Sequence, residues 1–278
     1  ADVWGNRQMF QLDLAGKAKQ ISGCPPDYFA KDGQFWGQPI YDWEYLKAHD
    51  YSWWMKRLGF SLQCYDMVRI DHFRAFSSYW SIPGDAKTAR EGRWVEGAGM
   101  DFFNCVKTIF GDNAPIIAED LGQIDDGVIK LIADTGLPGM RVMQFAFLDD
   151  YDNLHLPHNI PRNAIAYTGT HDNDTAFGWL YSVSPEIRQR AMRYCGFDGD
   201  NWNEGGYKAP AVRAMIRTLW ASPAMLTVVP VQDLCGFGGD CKMNQPGVPE
   251  GNWAFRITSE SLEQMDAKWI KELNQTFY

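Results

Sequence analysis

Three apolar segments of this chain each end in acidic residues. They cover residues 68–74, 115–122 and 164–173, and the acids at their ends include Asp71, Glu119 and Asp172. A salt-bridged strand end would explain the first segment taken alone. The recurrence of the pattern favours an active site, because a parallel α/β barrel collects its catalytic residues from the C-terminal ends of successive strands.

Two carboxyl groups that flank a bond are the minimum requirement for glycoside chemistry. Arg69 precedes Asp71 by two residues, which places both on one side of a strand, and a nearby cation keeps a carboxylate ionised for nucleophilic attack. Glu119 follows an apolar run, and an apolar setting raises a carboxyl pKa, as a general acid requires. Asp172 lies next to His171 and has the chemistry to bind sugar hydroxyls.

A metal-dependent barrel enzyme is the competing hypothesis, with the three acids as ligands of Mg²⁺, which prefers oxygen donors. Against it, the sequence contains no phosphate-binding glycine loop, and its loops are rich in aromatic residues instead. No pair of His or Cys residues has the spacing of a zinc site. We therefore predict neither a metal ion nor any other cofactor.

The elements that must position these acids alternate between strands and helices from residue 67 onwards. Five strands are predicted, ending near Phe73, Ala118, Phe147, Tyr167 and Val231. Helices are predicted over residues 41–66, 101–110, 125–134, 186–194, 209–221 and 259–273. Such alternation gives a parallel sheet with right-handed crossovers. The sequence thus predicts an α/β fold that holds only the C-terminal five or so strand–helix units of a (β/α)8 TIM barrel.

Residues 1–42 lack clear periodicity and are rich in Gly, Pro and aromatic residues. Residues 75–93 are likewise predicted to be irregular. Long loops inside compact domains are commonly binding loops or lids. We predict a substrate-binding lid over residues 23–42, within one catalytic domain that spans residues 1–278. An irregular connection packed by its own aromatic rings is the alternative.

The composition narrows the class of function. A net charge of -9 and a pI of about 5.0 argue against nucleic acid as a partner. Aromatic residues make up 14% of the chain; most are expected in the core, and others suit the apolar faces of sugars. Six cysteines without a C-x-x-C pair are typical of reduced thiols in a cytoplasmic protein.

Membrane and targeting signals are also missing from the sequence. No apolar run approaches the ~20 residues that span a membrane. The first residues lack the basic start and apolar core of a signal peptide. They also lack an initiator Met, so we expect the chain to begin partway through a longer protein.

Several blocks of the sequence resemble the signature blocks of the amylomaltases, or 4-α-glucanotransferases. Three of these blocks carry the acids: VRIDHFR at residues 68–74, IAEDLG at 117–122 and GTHDNDT at 169–175. The others are the aromatic loop at residues 25–37, MNQPG at 243–247 and GNW at 251–253. The resemblance covers nearly the whole chain, and the joint occurrence of these blocks is highly specific.

The resemblance implies roles for individual residues. Asp71 is then the nucleophile, Glu119 the acid/base and Asp172 the transition-state stabiliser, while Arg69 and His171 hold the sugar in the donor site. The other implied glucan-binding residues are Tyr28, Gln34 and Trp36 in the lid and Phe145, Asp149 and Asn252 on the acceptor side.

The implied reaction is retaining, and its partners are α-1,4-glucans and maltooligosaccharides. An acceptor 4-hydroxyl, rather than water, receives the glucan segment. Two departures from the family pattern stand out: the family has a longer N-terminal half with further donor-site groups, and Gln38 stands where the family usually has Asn. The alternatives are an α-glucan hydrolase, or a glucan-binding barrel fragment that is inactive without the missing half.

Overall fold

The structure, a computed structural model, describes residues 2–26, 31–148, 153–246, 248 and 250–278. Contacts divide the chain into two compact units, Ala1–Gly139 and Met140–Tyr278. Each unit combines helices with strands, so the predicted α/β class is confirmed. No helix in the described ranges is long and apolar enough to cross a membrane.

The first unit contains helices and strands in a mixed order. Its helices are α1 (Asp2–Gly5), α2 (Trp43–Ala48), α3 (Ser52–Cys64), α4 (Gly99–Phe110) and α5 (Asp126–Thr135). Its strands are β1 (Gln20–Cys24), β2 (Gln34–Pro39), β3 (Val68–Ile70), β4 (Ser78–Pro83), β5 (Arg93–Glu96) and β6 (Ile116–Ala118).

Strands β3 and β6 form a parallel pair, in which Val68 lies opposite Ile116 and Ile70 opposite Ala118. Apolar residues suit these strands because β6 is buried along its whole length. Helices α3, α4 and α5 supply aromatic and aliphatic side chains to the same core, including the fully buried Phe102. The two strands end side by side, so the residues that follow them, Asp71 and Glu119, leave the sheet at the same edge.

A four-stranded antiparallel sheet in the order β2-β1-β4-β5 corrects the prediction for two stretches of the chain. Residues 1–42 and 75–93 were both predicted to be irregular. Pairing of β1 with β4, in which Ile21 lies opposite Ile82, buries both side chains. Short strands of this kind are stabilised by partners about 60 residues away, which local sequence patterns do not reveal.

The second unit alternates strands and helices more regularly. Its strands are β7 (Gly139–Val142), whose first residue belongs to the other unit, β8 (Ala164–Tyr167) and β9 (Leu226–Val228). Its helices are α6 (Ala176–Ser182), α7 (Pro185–Tyr194), α8 (Pro210–Trp220), α9 (Val231–Leu234), α10 (Ser259–Gln264) and α11 (Ala267–Phe277).

The three strands of this unit form one sheet in the order β7-β8-β9. Strand β8 runs parallel to β9, with Ile165 opposite Leu226, and it is buried because helices α6 and α8 pack on the same core. Strand β9 is the last strand of this sheet, and Leu226 and Val228 on it are 41% and 37% exposed.

Three predicted strands are shorter than expected. The strand predicted to end at Phe73 ends at Ile70, and a 3₁₀ helix covers Phe73–Phe76. The strand predicted to end at Phe147 ends at Val142, followed by a 3₁₀ helix. The strand predicted to end at Val231 ends at Val228. Apolar residues beyond each strand end pack into the core as turns and short helices, a use that periodicity does not distinguish from a strand.

Two predicted helices are broken in the structure. The helix expected over residues 41–66 stops at Ala48, because Asp50 and Tyr51 adopt left-handed φ angles of 52° and 48° that bury the Tyr51 ring against Phe102. The last helix is interrupted before Asp266, whose side chain caps α11 by accepting from the Trp269 N–H. Helix α6 was not predicted at all.

Candidate active site

Asp71 is the first residue after β3, and its side chain is 75% exposed. Arg69 Nη2 lies 2.8 Å from Asp71 Oδ1, so the predicted placement of the two side chains on one side is confirmed. The guanidinium places a positive charge directly beside an accessible carboxylate. An accessible carboxyl group is the arrangement that a nucleophile needs.

Glu119 is the first residue after β6 and is held by two backbone donors. The N–H of His72 donates to Oε2 at 2.7 Å, and the N–H of Leu121 donates to Oε1 at 2.8 Å. Burial raises the pKa of Glu119, and the two N–H groups oppose that rise; Asp71 raises it further and Arg69 lowers it. The sequence-based expectation of a raised pKa is thus confirmed, and the carboxyl holds its proton to higher pH than an ordinary glutamate.

His72 occupies a left-handed backbone conformation with φ of 50°. A non-glycine residue in this conformation costs about 1–3 kcal/mol, and such strain is typically found at functional sites. Burial lowers the pKa of His72 to about 4, so the ring is neutral at pH 7. The sequence placed His72 in a charged cluster without giving it a role; its role in the structure is to direct its N–H at Glu119.

Trp36, which lies in the segment predicted to be a lid, contacts His72. Its ring meets the His72 ring edge to face, with centroids 4.9 Å apart. Trp36 Nε1 also donates to Gln34 Oε1 at 3.1 Å, and both side chains are exposed on β2. The structure therefore brings together Trp36, Gln34 and the Asp71–Glu119 pair within the first unit, while Tyr28 lies outside the described residues.

Arg74 has a structural role, as expected if charged residues of the 68–74 segment form salt bridges at the end of a strand. It is 5% exposed, pairs with Asp125 at 2.9 Å and lies 4.0 Å above the Trp94 ring. It also donates to Ser78 Oγ at 3.0 Å and to the carbonyl of Gln123. Arg74 thus fastens the loop that follows Glu119 to strands β4 and β5.

In the second unit, Asp172 follows β8 after a short loop. His171 Nε2 lies 3.3 Å from Asp172 Oδ2, and Asn244 Nδ2 donates to Asp172 Oδ1 at 2.5 Å. The ring of Trp253 lies over His171 with centroids 5.2 Å apart, and Trp253 has a left-handed φ of 60°. Asn244 and Trp253 were not proposed from the sequence, although both lie in blocks that resemble the family.

The residues predicted on the acceptor side have different surroundings. Phe145 packs edge to face on His155, with centroids 5.5 Å apart. Asn252 uses its side-chain amide inside its own loop, accepting from Gln245 N at 2.8 Å and donating to the carbonyl of Val248 at 2.8 Å. Their acceptor-side roles stay predictions, and Asp149 lies outside the described residues.

The carboxyl groups of the candidate site have partners other than a metal ion in the parts of the chain that the structure describes. Within those parts, no group of three or more His, Cys, Asp or Glu side chains is arranged to hold an ion. The side chains of Asp71 and Glu119 are occupied instead by a guanidinium and by backbone N–H donors. Chemically, such a pair can attack an electrophilic carbon with one carboxylate and deliver a proton from the other.

Comparisons with known proteins agree on one family. A family model described as 4-alpha-glucanotransferase matches residues 1–262. Relatives of that name from Synechocystis sp. and Thermus thermophilus are 45% and 43% identical over 94% of this chain. These matches cover 51% and 52% of the two relatives, so the chain spans about half the length of the curated relatives it matches.

The same family appears among solved structures. Amylomaltase from Streptococcus agalactiae, solved in complex with acarbose, superposes with a TM-score of 0.92 at 38% identity. The superposition covers 99% of this chain and 54% of that one. Amylomaltase from Corynebacterium glutamicum, at 18% identity and a TM-score of 0.74, shares the fold.

Proposed function

The chain belongs to the 4-alpha-glucanotransferase family, and from that membership we propose that it transfers segments of α-1,4-glucan to the 4-hydroxyl of an acceptor glucan or glucose. We propose a retaining mechanism for this transfer. The chain spans about half the length of these relatives. The proposal therefore concerns only the reaction steps that residues of this chain can perform.

The observation that carries the proposal is the contrast between two carboxyl groups at one edge of the β3–β6 pair. Asp71 is exposed and ion-paired with Arg69, while Glu119 is partly buried with a raised pKa. Asp71 is close enough to contribute to that raised pKa. A pair of carboxyl groups at one edge, of which one is accessible and the other is buried with a raised pKa, suits the nucleophile and the acid of a retaining glycosidase-type reaction.

In the first step, a carboxylate oxygen of Asp71 attacks the anomeric carbon as the bond from that carbon to the glycosidic oxygen breaks. Glu119 gives its proton to the departing 4-oxygen, which leaves with the reducing-end fragment. The product is a covalent glucosyl ester on Asp71. Asp172 is proposed to bind hydroxyls of the distorted sugar, with Arg69 and His171 holding the same unit.

In the second step, Glu119 is ionised and accepts the proton of an acceptor 4-hydroxyl. The acceptor oxygen then attacks the anomeric carbon and the ester bond to Asp71 breaks, which regenerates both carboxyls. Transfer prevails over hydrolysis only where water is kept away from the ester. We propose that the lid over residues 23–42 does this, with Tyr28, Gln34 and Trp36 binding glucan and Phe145, Asp149 and Asn252 serving the acceptor.

We also propose that the parallel strands belong to a (β/α)8 barrel, within a catalytic domain that spans residues 1–278. Two observations support this. Strand β9 is at the end of the described β7-β8-β9 sheet and carries exposed apolar side chains, Leu226 and Val228, which further elements of a barrel would cover. The relatives are about twice as long as this chain. A cytoplasmic location stays a prediction, since the plant relatives are described as chloroplastic/amyloplastic.

The test is incubation of the protein with maltotriose, with products followed by chromatography and Asp71→Asn as the matched variant. Glucose together with a ladder of longer maltooligosaccharides, lost in Asp71→Asn, is the expected result. Glucose and maltose without a ladder would identify a hydrolase. If the unmodified chain shows no turnover, binding of maltotriose measured by calorimetry would identify a glucan-binding fragment.

A further inference from the structure

Asp233 is a buried carboxylate that the proposed mechanism does not use. It lies in α9, the next helix after β9, and is 2% exposed. Its Oδ2 accepts a hydrogen bond from Thr168 Oγ1 at 2.5 Å, and its Oδ1 accepts one from the N–H of Ala176 at 2.6 Å. Both oxygens are therefore engaged by donors that lie 65 and 57 residues away in sequence.

These two donors lie at the two ends of one loop. Thr168 is the first residue after β8, and Ala176 is the first residue of α6. The loop between them carries His171 and Asp172. A single carboxylate thus fixes the start and the end of the segment that presents Asp172.

The other hydrogen bonds of this loop do not connect its two ends. Asn173 Oδ1 accepts from both the N–H and the hydroxyl of Thr170 at 2.9 Å, which shapes the interior of the loop. Gln144 Nε2 donates to the carbonyl of Asp174 at 2.7 Å. Only Asp233 joins the two ends to each other among the described hydrogen bonds of this segment.

Burying an ionised carboxylate to connect two ends of a loop costs desolvation free energy. Burial raises the pKa of Asp233 to about 6, and the neighbouring negative charge of Asp174 adds to that rise. Among the described ion pairs, none provides a cation for Asp233. A neutral amide would connect the same backbone at lower desolvation cost, but it accepts hydrogen bonds through only one oxygen. A carboxylate has two oxygens, so at Asp233 one oxygen accepts from Thr168 and the other from Ala176.

We propose that Asp233 is a positioning residue for the transferase reaction. By accepting from Thr168 and Ala176 it holds the Thr168–Ala176 loop in one conformation, so that the Asp172 carboxylate stays where the sugar hydroxyls need it. This inference rests on the proposed function for its catalytic consequence. The connection of the two loop ends through Asp233 is a property of the fold and can be measured without an activity assay.

The test combines steady-state kinetics with amide hydrogen exchange on the full chain. Two variants disrupt the hydrogen bond between Thr168 and Asp233: Asp233→Asn removes the accepting carboxylate, and Thr168→Val removes the donating hydroxyl. A third variant, Thr168→Ser, keeps the hydroxyl. Asp240→Asn, an exposed carboxyl in the following 3₁₀ helix, is the control. All of these substitutions keep the side-chain volume close to the original, so each variant is expected to fold.

For Asp233→Asn and Thr168→Val we expect amide exchange across the loop to accelerate roughly fivefold or more, as befits the loss of a buried hydrogen bond. Exchange in helix α8, in the same unit, should not change. With maltotriose, kcat should fall by roughly tenfold or more while KM stays within about twofold, because displaced catalytic groups slow chemistry more than binding. Thr168→Ser should restore both readouts, and Asp240→Asn should leave them unaltered.

Unchanged loop exchange in Asp233→Asn would overturn the proposal. So would equal acceleration in α8, which would make Asp233 a general stability residue, or a loosened loop with unchanged kcat. If the unmodified chain does not turn over maltotriose, the proposed function fails and this inference does not. The exchange data then test only whether Asp233 holds the two ends of the loop.

Discussion

The backbone N–H of His72 donates a 2.7 Å hydrogen bond to Oε2 of Glu119, and so joins the turn after β3 to the carboxyl after β6. The bond exists because His72 adopts a left-handed φ of 50°. Leu121 N–H supplies the second donor. The orientation of the proposed acid/base is therefore set by the backbone of the neighbouring strand end, and this relationship underlies the first prediction.

Replacement of Glu119 by Gln should reduce transferase kcat by roughly 10²–10⁴-fold, the usual contribution of general acid–base catalysis. The amide cannot deliver or accept the proton, and it can accept from only one of the two backbone N–H groups. Initial rates with maltotriose provide the measurement. Glu96→Gln, on the exposed strand β5, is the matched control and should keep full activity. A Glu119→Gln protein as active as this control would remove Glu119 from the mechanism.

The pKa of Glu119 should fall when Asp71 is replaced by Asn. The negative charge of Asp71 raises this pKa, and Arg69 lowers it, so neutralising Asp71 shifts the balance towards the charged form of Glu119. A ¹³C NMR titration of Glu119 measures the shift without requiring turnover. Asp85→Asn, an exposed carboxyl elsewhere in the unit, should leave the pKa unaltered. A rise in the pKa of Glu119 in Asp71→Asn would contradict the proposed coupling.

The raised pKa of Glu119 in the unmodified protein determines how activity depends on pH. Glu119 must be protonated to donate in the first step, so kcat/KM of the unmodified protein should decline as pH rises through its raised pKa. Because the pKa is raised, this decline should begin at higher pH than for an ordinary glutamate. A pH–rate profile with maltotriose checks this, and a decline that begins below the range of an ordinary glutamate would argue against the assignment.

Arg74→Met should destabilise the protein by about 2 kcal/mol, below the range for fully buried ion pairs because the partner Asp125 is half exposed. The substitution keeps the apolar stem but removes the donors to Ser78 and Gln123 and the contact with Trp94. Urea unfolding gives the change in free energy. Arg90→Met breaks an exposed pair with Asp32 and should cost no more than roughly 0.5 kcal/mol. Equal effects of the two substitutions would deny Arg74 its structural role.

Trp36→Ala should raise the KM for maltooligosaccharides by about tenfold with little change in kcat. An aromatic stacking contact is worth about 1–1.5 kcal/mol, which corresponds to roughly a factor of ten. Phe35→Ala is the matched control, since Phe35 is an exposed ring on the opposite face of β2. If Phe35→Ala raised KM as much as Trp36→Ala, the effect would come from the strand and not from a specific ring.

Much of the candidate site followed from local sequence. The strands predicted to end near Ala118 and Tyr167 do end at these residues, because each is a short buried apolar run. The pairing of Arg69 with Asp71 followed from strand periodicity, and the raised pKa of Glu119 from its apolar neighbours. These features depend on residues within a few positions of one another.

Other features did not follow, because they depend on distant partners. The antiparallel sheet of β1, β2, β4 and β5 was missed, since its short strands are specified by pairing and not by their own pattern. The break before α3 was missed because burial of Tyr51 decides it. Asn244 was missed as a partner of Asp172, which lies 72 residues earlier.

By itself the sequence determined which side chains could do chemistry, which family the chain resembles and where the apolar strands that carry the acids lie. Only the tertiary structure decided how those acids are held: the His72 N–H on Glu119, and Asp233 between Thr168 and Ala176. The physical reason is that a hydrogen bond is fixed by distance and angle in space. These bonds join residues 47 to 65 positions apart, a separation at which no local pattern constrains geometry.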